Sequence, residues 1–413
     1  MTPPTPTVHW RASLADVPPP DWNRIFGTTV AVKGLPLAQA VEDARIQNLT
    51  LLYLTAALGE QVAAIIPAFI LRARLDLLSP PRVRAVAQLA RRVFPKFLTR
   101  RILFLGSPLA TCDHLLGIGI ADDDPRLPGL LARIKAALHA KAREQRCPII
   151  MAKDFRARDR ERLARMLGPE FLWMETLPNA FIPVGEGLPP YPASLRHKYR
   201  NNVARTLAES GHTGLIWKCS PDFAALAPEM GRLYAQVLSR SQTPLERLDE
   251  RFFRAVATRC RDTALALTCA TPGGQLVCFW LALEDPRTLC GLYMGMDYSH
   301  PHAGHLYPEG TFRLVREAER RGKRALFCGQ NAMLPKAHAG AVFERIWLAV
   351  LPRNPIWAAA LRAGLHRIPP PCQIPRIRCY TDHAAAAISA RLAADGIPCE
   401  PLKTTADSGP ASA

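Results

Sequence analysis

The sequence predicts an α/β protein in which one architecture occurs twice. Three observations lead there. Short apolar runs with strand character alternate with helical stretches of about fifteen residues. The order strand, helix, strand recurs on both sides of a Gly/Pro-rich stretch that ends near Gly187. Finally, 48% of the 413 residues are apolar and only 21% are charged, which suits more than one buried core and excludes wholesale disorder. The repeat is one of element order, not of residue identity. The expected units are 1–187, 188–352 and an appendage, 353–413.

In the first unit, LTLLYLTAAL, VAAIIPAFIL, RRILFLG and CPIIMAKDF read as strands. Pro128–Gln145 reads as a helix, with apolar residues at helical spacing and an acidic cluster, Asp122–Asp124, before its N-terminus. IPVGEGLPPYP reads as the linker. The second unit opens with a basic helix over Pro192–Ser210 and strand LIWKC, followed by helices over Ala224–Leu238 and Pro244–Arg261. Strands ALALTCA, QLVCFWLALE and LCGLYMGMDY follow as a meander, then a helix over Pro308–Arg321, strand RALFCG and a final helix and strand. The third unit reads as a short helix, the turn IPPPCQIP and a strand–helix–strand. Its last ten residues, Thr404–Ala413, have the composition of a disordered tail.

Lys and Arg outnumber Asp and Glu by 53 to 35, a formal charge of +18, so a phosphate-bearing or polyanionic partner is expected. No uncharged apolar run approaches the roughly 18 residues of a membrane span, and the proline-rich start lacks the apolar centre of a secretory signal. A cytoplasmic protein is the expectation. The 11 cysteines form no C-x-x-C pair and several sit in apolar runs, which reads as buried thiols.

Three segments carry candidate chemistry. In Gly295–Asn331 a strand enters a loop rich in His and Gly and then a helix whose expected first turn holds Pro308 and Glu309. Helix N–H groups facing such a loop suit a phosphate or an oxyanion, and Gly304 allows close backbone approach. His300, His302 and His305 lack an acidic or thiol partner at ligand spacing, so no metal is expected, and a general-base histidine fits better. In Tyr191–Gly211, Arg196, Lys198 and Arg200 belong to a basic helix face suited to phosphate or carboxylate. In Gly329–Gly340, Lys336 sits where it can neutralise charge that develops in acyl transfer.

In this order the segments resemble the FemABX-like branch of the GNAT acyltransferase superfamily. Lys198–Asn202 looks like the family's K-x-R entry helix, and Leu292–Gly295 matches its central L-Y-x-G strand. Gly329, Lys336 and Gly340 resemble its closing G-x6-K-x3-G signature. The resemblance covers about Pro189–Pro352 and reaches the first unit only by architecture. It implies two tandem GNAT-like domains with mixed central sheets. It also implies transfer of an acyl group to the amine of a small metabolite or amino acid, without a metal or tightly bound cofactor. The co-substrate is then an acyl-CoA, favoured, or an aminoacyl-tRNA, as for a natural product or peptidoglycan precursor.

By position, Ala303, Gly304, His305, Arg196, Lys198, Arg200 and Lys336 would hold the donor. Tyr293, Tyr298, Gln330 and Asn331 would line the substrate. Lys336 would stabilise charge, and Asp297, His305 or Glu309 would take the amine proton. The single-domain CoA signature Q/R-x-x-G-x-G/A is absent, with PHAGHLYPEG in its place, and no heptad run marks a coiled-coil arm. A non-catalytic RNA- or membrane-binding protein on the same scaffold is the reading from another class.

Ser79–Arg101 has seven basic residues and no acidic one, with Val83, Val86, Ala87, Ala90, Val93, Phe94 and Phe97 at helical spacing. The plainest expectation is a helix packed on its domain with a cationic outer face. Contact with tRNA phosphates or with an anionic bilayer surface is the functional alternative.

Overall fold

β-Branched and aromatic runs become the centres of two sheets, and the intervening amphipathic segments become the helices that cover them. The computed structural model describes residues 5–75, 81–94, 97–109, 113–240, 246–365, 372–399 and 402; Cys112, Ser79–Pro80, Pro95, Lys96 and the tail Thr404–Ala413 lie outside these. In chain order the first half contains β1 (Thr7–Arg11), α1 (Pro19–Phe26), α2 (Leu35–Asp43), β2 (Leu49–Leu58) and β3 (Gln61–Arg74). It continues with α3 (Pro81–Val93), β4 (Thr99–Leu105), β5 (Gly117–Ile118), α4 (Leu127–Glu144), β6 (Ile149–Arg156), α5 (Ala157–Leu167) and β7 (Leu172–Glu175).

The second half opens with β8 (Asn179–Pro183), α6 (Tyr191–Ser194), α7 (His197–Ser210), β9 (Ile216–Ser220), α8 (Ala227–Arg240) and α9 (Glu250–Arg259). Then come β10 (Ala264–Ala270), β11 (Leu276–Glu284), β12 (Thr288–Met296), α10 (Ala303–Arg320), β13 (Ala325–Gly329), α11 (Met333–His338) and β14 (Val342–Glu344). β15 (Ile346–Pro352), α12 (Pro355–Gly364) and α13 (Asp382–Ala394) complete the chain.

The sheets run β1-β2-β3-β4-β6-β15-β7, with β5 on β3, and β14-β8-β13-β12-β11-β10-β9. Both are mixed, with one parallel pair each: β4 with β6, and β12 with β13. A helix crosses between the parallel strands in each case, α4 in the first and α10 in the second, as parallel pairing requires.

Sheet membership does not follow the divisions expected at 187/188 and 352/353. β8 precedes the first division yet lies between β13 and β14, and β15, before the second, lies between β6 and β7. The halves therefore exchange one strand each, at equivalent places. The expected linker is correspondingly shorter, since Ile182 and Pro183 belong to β8. Beside the exchange, Arg156 closes on Glu344 with Nε at 2.9 and 3.0 Å from the two carboxylate oxygens, both residues buried. A further core joins the halves, where α2 packs on α9 through Leu37, Ala40 and Val41 against Phe252, Phe253 and Val256.

Helix boundaries moved for local reasons. The helix expected over Pro192–Ser210 breaks at Leu195 and Arg196, where Leu195 bridges to Tyr380. The helix expected from Pro244 starts at Glu250, because Asp249 caps it by accepting from the Arg251 N–H at 3.0 Å. α10 begins at Ala303 and not at Pro308, which sits inside it. The described part of the appendage holds α12, which packs on β15, and α13 between two single bridges, Leu195–Tyr380 and Glu344–Cys399. The ten described cysteines are free thiols.

Candidate active site

The second half opens where the first stays shut. β12 pairs with β13 over three residues, Thr288–Ala325 to Cys290–Phe327, and then continues alone to Met296. On its other side β12 pairs with β11 through a bulge: Leu281 faces Tyr293 and Ala282 faces Gly291, leaving Leu292 extra. A bulge bends its strand and re-aims the neighbouring side chains. Between the parting strands lies a cavity of about 700 Å³, walled by β12, β13, α8, α10 and the turn Gly329–Ala332. Gly329 at φ +74° and Ala332 at φ +55° both use left-handed backbone to make that turn.

Lys336 and Gly304 line this one cavity, together with Ala303, Tyr293, Tyr298, Gln330 and Asn331. Ala303 and Gly304 form the first turn of α10, where the Ala303 N–H donates to the His300 carbonyl at 3.0 Å and the His305 N–H to the His302 carbonyl at 2.9 Å. Pro308 has no N–H to give the Gly304 carbonyl, so the rim keeps polar backbone of both signs. A Cβ on Gly304 would meet no atom within 4 Å, so the rim is open there. Lys336 is 5% exposed. Its charge opposes the burial that pushes the neighbouring Cys328 thiol up to about 11.

The structure does not bring the three expected proton acceptors into the cavity. The Asp297 carboxylate accepts from Ser299 N–H at 3.0 Å and Ser299 Oγ at 2.6 Å, which hold it below the usual range and tie it to its own turn. His305 is exposed, with Nδ1 3.3 Å from Glu209. Glu309 is buried between Arg313 Nε, at 2.8 Å, and the Ser210 hydroxyl, so it joins α10 to α7. The basic helix face is also elsewhere: Lys198 and Arg200 are exposed, and neither lines the cavity. Arg196 holds the appendage, donating to the Tyr380 carbonyl and to Asp382, both at 2.9 Å.

A carboxylate does stand in the cavity, and the sequence did not single it out. Glu246, in the approach to α9, accepts from the Tyr293 hydroxyl at 2.6 Å. Tyr293 is itself held edge-on by Tyr234 and Phe252, each with ring centroids 5.6 Å away. Burial pushes the Glu246 carboxyl above its ordinary range; the Tyr293 hydrogen bond and the charge of Lys153 oppose that shift, and Asp154 adds to it. Lys153 and Asp154 lie in the second half of β6, so the first half of the chain contributes to the field at this site. Gln330 reaches the same place, with Nε2 3.5 Å from both Asp154 and Asn179. On the far wall the Arg240 guanidinium lies 3.9 Å from the Tyr298 ring centre.

Metal chemistry points elsewhere. His300, His302 and His305 sit on the loop and first turn before the cavity, whereas the ligand atoms within 4.8 Å of one another, among the described residues, belong to Asp113, His114 and Asp159. There Lys33 already pairs with Asp113 at 3.1 Å, and His114 Nδ1 accepts the Leu116 N–H. A neutral His114 then carries its proton on Nε2, toward Asp159, where a metal ligand needs a lone pair.

Comparison with known proteins bears on the fold. Residues 194–329 match the family model described as an acetyltransferase (GNAT) domain. No curated protein matches the chain. Among solved structures, a conserved protein of unknown function from Bacteroides thetaiotaomicron is similar in fold, with a TM-score of 0.50 at 11% identity over 84% of this chain and 100% of that one. The C-terminal domain of a putative lysylphosphatidylglycerol synthetase from Agrobacterium fabrum also has a TM-score of 0.50 at 11% identity, over 86% of this chain and 99% of that one. The chain thus has a GNAT-like fold of two mixed sheets, and its residues 194–329 are similar to the acetyltransferase (GNAT) domain family.

Proposed function

We propose that the protein is an N-acyltransferase that moves an acyl group from a thioester, an acyl-CoA, to the amine of a small molecule. The observation that carries this reading is the splay of β12 from β13, with Glu246 and Tyr293 at one side and the first turn of α10 at the other. Backbone N–H and C=O groups along a parting strand need partners, and the amides of a thioester's arm supply them as an added strand would. The positive dipole end of α10 on the rim suits its phosphates.

In this reading the amine nitrogen attacks the thioester carbonyl, the N–C bond forms and the C–S bond breaks. Glu246 takes the proton that the amine loses, and a carboxylate lifted by burial is better matched to that task than an ordinary one. Lys336 balances the negative charge that grows on the carbonyl oxygen. Tyr307, on the same wall and kept protonated by burial, passes a proton to the departing thiolate and regains one from solvent, while Glu246 releases its own to solvent, so both groups return to their starting states.

The +18 charge favours aminoacyl-tRNA as the second donor class. Purified protein is to be incubated with a panel of amines and either acetyl-CoA or a charged tRNA pool. Amine-dependent release of free CoA thiol, lost in Lys336→Ala while the unfolding midpoint is kept, supports the reading. Transfer from charged tRNA alone replaces the donor, and no transfer from either source overturns it.

A further inference from the structure

The apolar stripe of α3 faces out. Of its residues Ala87 is buried, whereas Val86, Leu89 and Val93, with Phe94 and Phe97 just beyond, are exposed by 40% to 73%. This corrects the expectation that the stripe packs on the domain. Phe94 and Phe97 are themselves tied to the helix, with Phe94 N–H on the Ala90 carbonyl, Phe97 N–H on the Phe94 carbonyl and Arg91 Nε on the Phe97 carbonyl at 3.0 Å. Folded backbone therefore presents these side chains.

A second exposed pair, Ile356 at 76% and Trp357 at 52%, opens α12. Asn354 fixes that start by accepting both of their N–H groups, and Leu361 anchors the helix on the sheet. Register places the two elements at one end of the first sheet. α3 joins the end of β3 to the start of β4, where Arg74 faces Thr99. Ile102, three residues into β4, faces Ile149 on β6, and Ile149 faces Pro352 at the end of β15. α12 starts three residues past Pro352, two strand spacings from β4, or about 10 Å.

The same end is cationic. Seven basic and no acidic residues lie in Ser79–Arg101, none is acidic in Arg353–Arg362, and Arg92, Arg100 and Arg362 are exposed. We infer that this end of the first sheet docks on an anionic lipid bilayer. The aliphatic and aromatic side chains enter the boundary between headgroups and acyl chains, Trp357 sits at headgroup level, and the arginines meet lipid phosphates. Nucleic acid would use the arginines but not the seven exposed apolar side chains. The tail Thr404–Ala413 has no large apolar residue with which to cover them. No helix among the described residues is long and apolar enough to cross a membrane, so the contact is peripheral. The inference stands apart from the acyl-transfer reading.

The test uses the full chain with vesicles of phosphatidylcholine alone and of equal parts phosphatidylcholine and phosphatidylglycerol. Partition onto the anionic vesicles only is expected, falling roughly ten-fold or more in a combined Leu89→Asp, Val93→Asp and Phe94→Asp variant that keeps the parent's unfolding midpoint. Emission attributed to Trp357, from the difference against Trp357→Phe, should shift to shorter wavelength on those vesicles. Equal partition of parent and variant overturns the inference. So does a parent that elutes as a dimer and a variant that elutes as a monomer, or a loss of tRNA binding in the variant as large as its loss of lipid binding.

Discussion

The two parallel strand pairs of this molecule occupy equivalent places and end differently. In the first half β4 pairs with β3 without a register shift and with β6 over four residues, Ile102–Ile149 to Leu105–Ala152, as far as β4 extends. Beyond that point Lys153 stitches the strand ends together, its Nζ donating to the carbonyls of Ser107 at 3.1 Å and Leu109 at 2.8 Å. In the second half the equivalent strand, β12, carries the extra residue Leu292 and leaves its partner after three pairs. The helix that follows differs as well. α4 starts 22 residues after β4, behind Asp124, which accepts from the Arg126 N–H at 2.8 Å. α10 starts seven residues after β12, with Ala303 and Gly304 on the cavity rim. One fold thus occurs as a closed copy and an open one, and a single bulge with an early helix separates them.

The open copy is where chemistry is predicted, and the largest effect belongs to its carboxylate. Glu246→Gln keeps the shape and the contact with Tyr293 but cannot accept a proton. A drop in kcat of about 10²- to 10⁴-fold is expected, the usual worth of a positioned general base, with KM for the donor little changed. Steady-state thiol release measures it, and a variant within a factor of two of the parent removes Glu246 from the reaction. Deleting Leu292 tests the comparison itself, since it makes β12 regular in the manner of β4. Loss of the bulge re-aims Tyr293 and misplaces the wall, for which about 10²-fold in kcat/KM is expected. A deletion variant that melts like the parent and keeps full turnover would show that the bulge is not what opens the site.

Much of this arrangement was legible in the sequence, and the parts that were not share a cause. The strand runs announced themselves because alternation and β-branching are local properties, and Gly304 and Lys336, which line one cavity, could be singled out because each follows a strand at short range. Pro308 misled, since proline favours a helix's first turn, yet here the helix begins five residues earlier and simply forgoes one N–H. Glu246 was illegible. It sits in LERLDE, an ordinary polar stretch, and acquires its burial and its partner from Tyr293, 47 residues away. The exchange of β8 and β15 is likewise invisible, because a strand's pattern says that it pairs but not with which sheet. Periodicity gave α3 a stripe and could not say which way it faced.

The smallest effect sharpens the comparison from the closed side. Lys153 ends the seam between β4 and β6 and also pairs with Asp154 at 2.9 Å, and its charge reaches Glu246 in the neighbouring half. Lys153→Met leaves two carbonyls without their donor, for which a loss of about 1–3 kcal/mol is expected, read from denaturant unfolding. It also removes a positive charge that favours ionised Glu246 and leaves Asp154, which disfavours it. The loss of that charge raises the Glu246 pKa further. Since the base works as the carboxylate, the acid limb of the kcat profile should move to higher pH, with kcat on the alkaline plateau within a few-fold of the parent. A limb that stays in place while stability falls would mean that Lys153 only holds the closed copy shut. A limb that moves to lower pH would contradict the sign of the coupling between the halves.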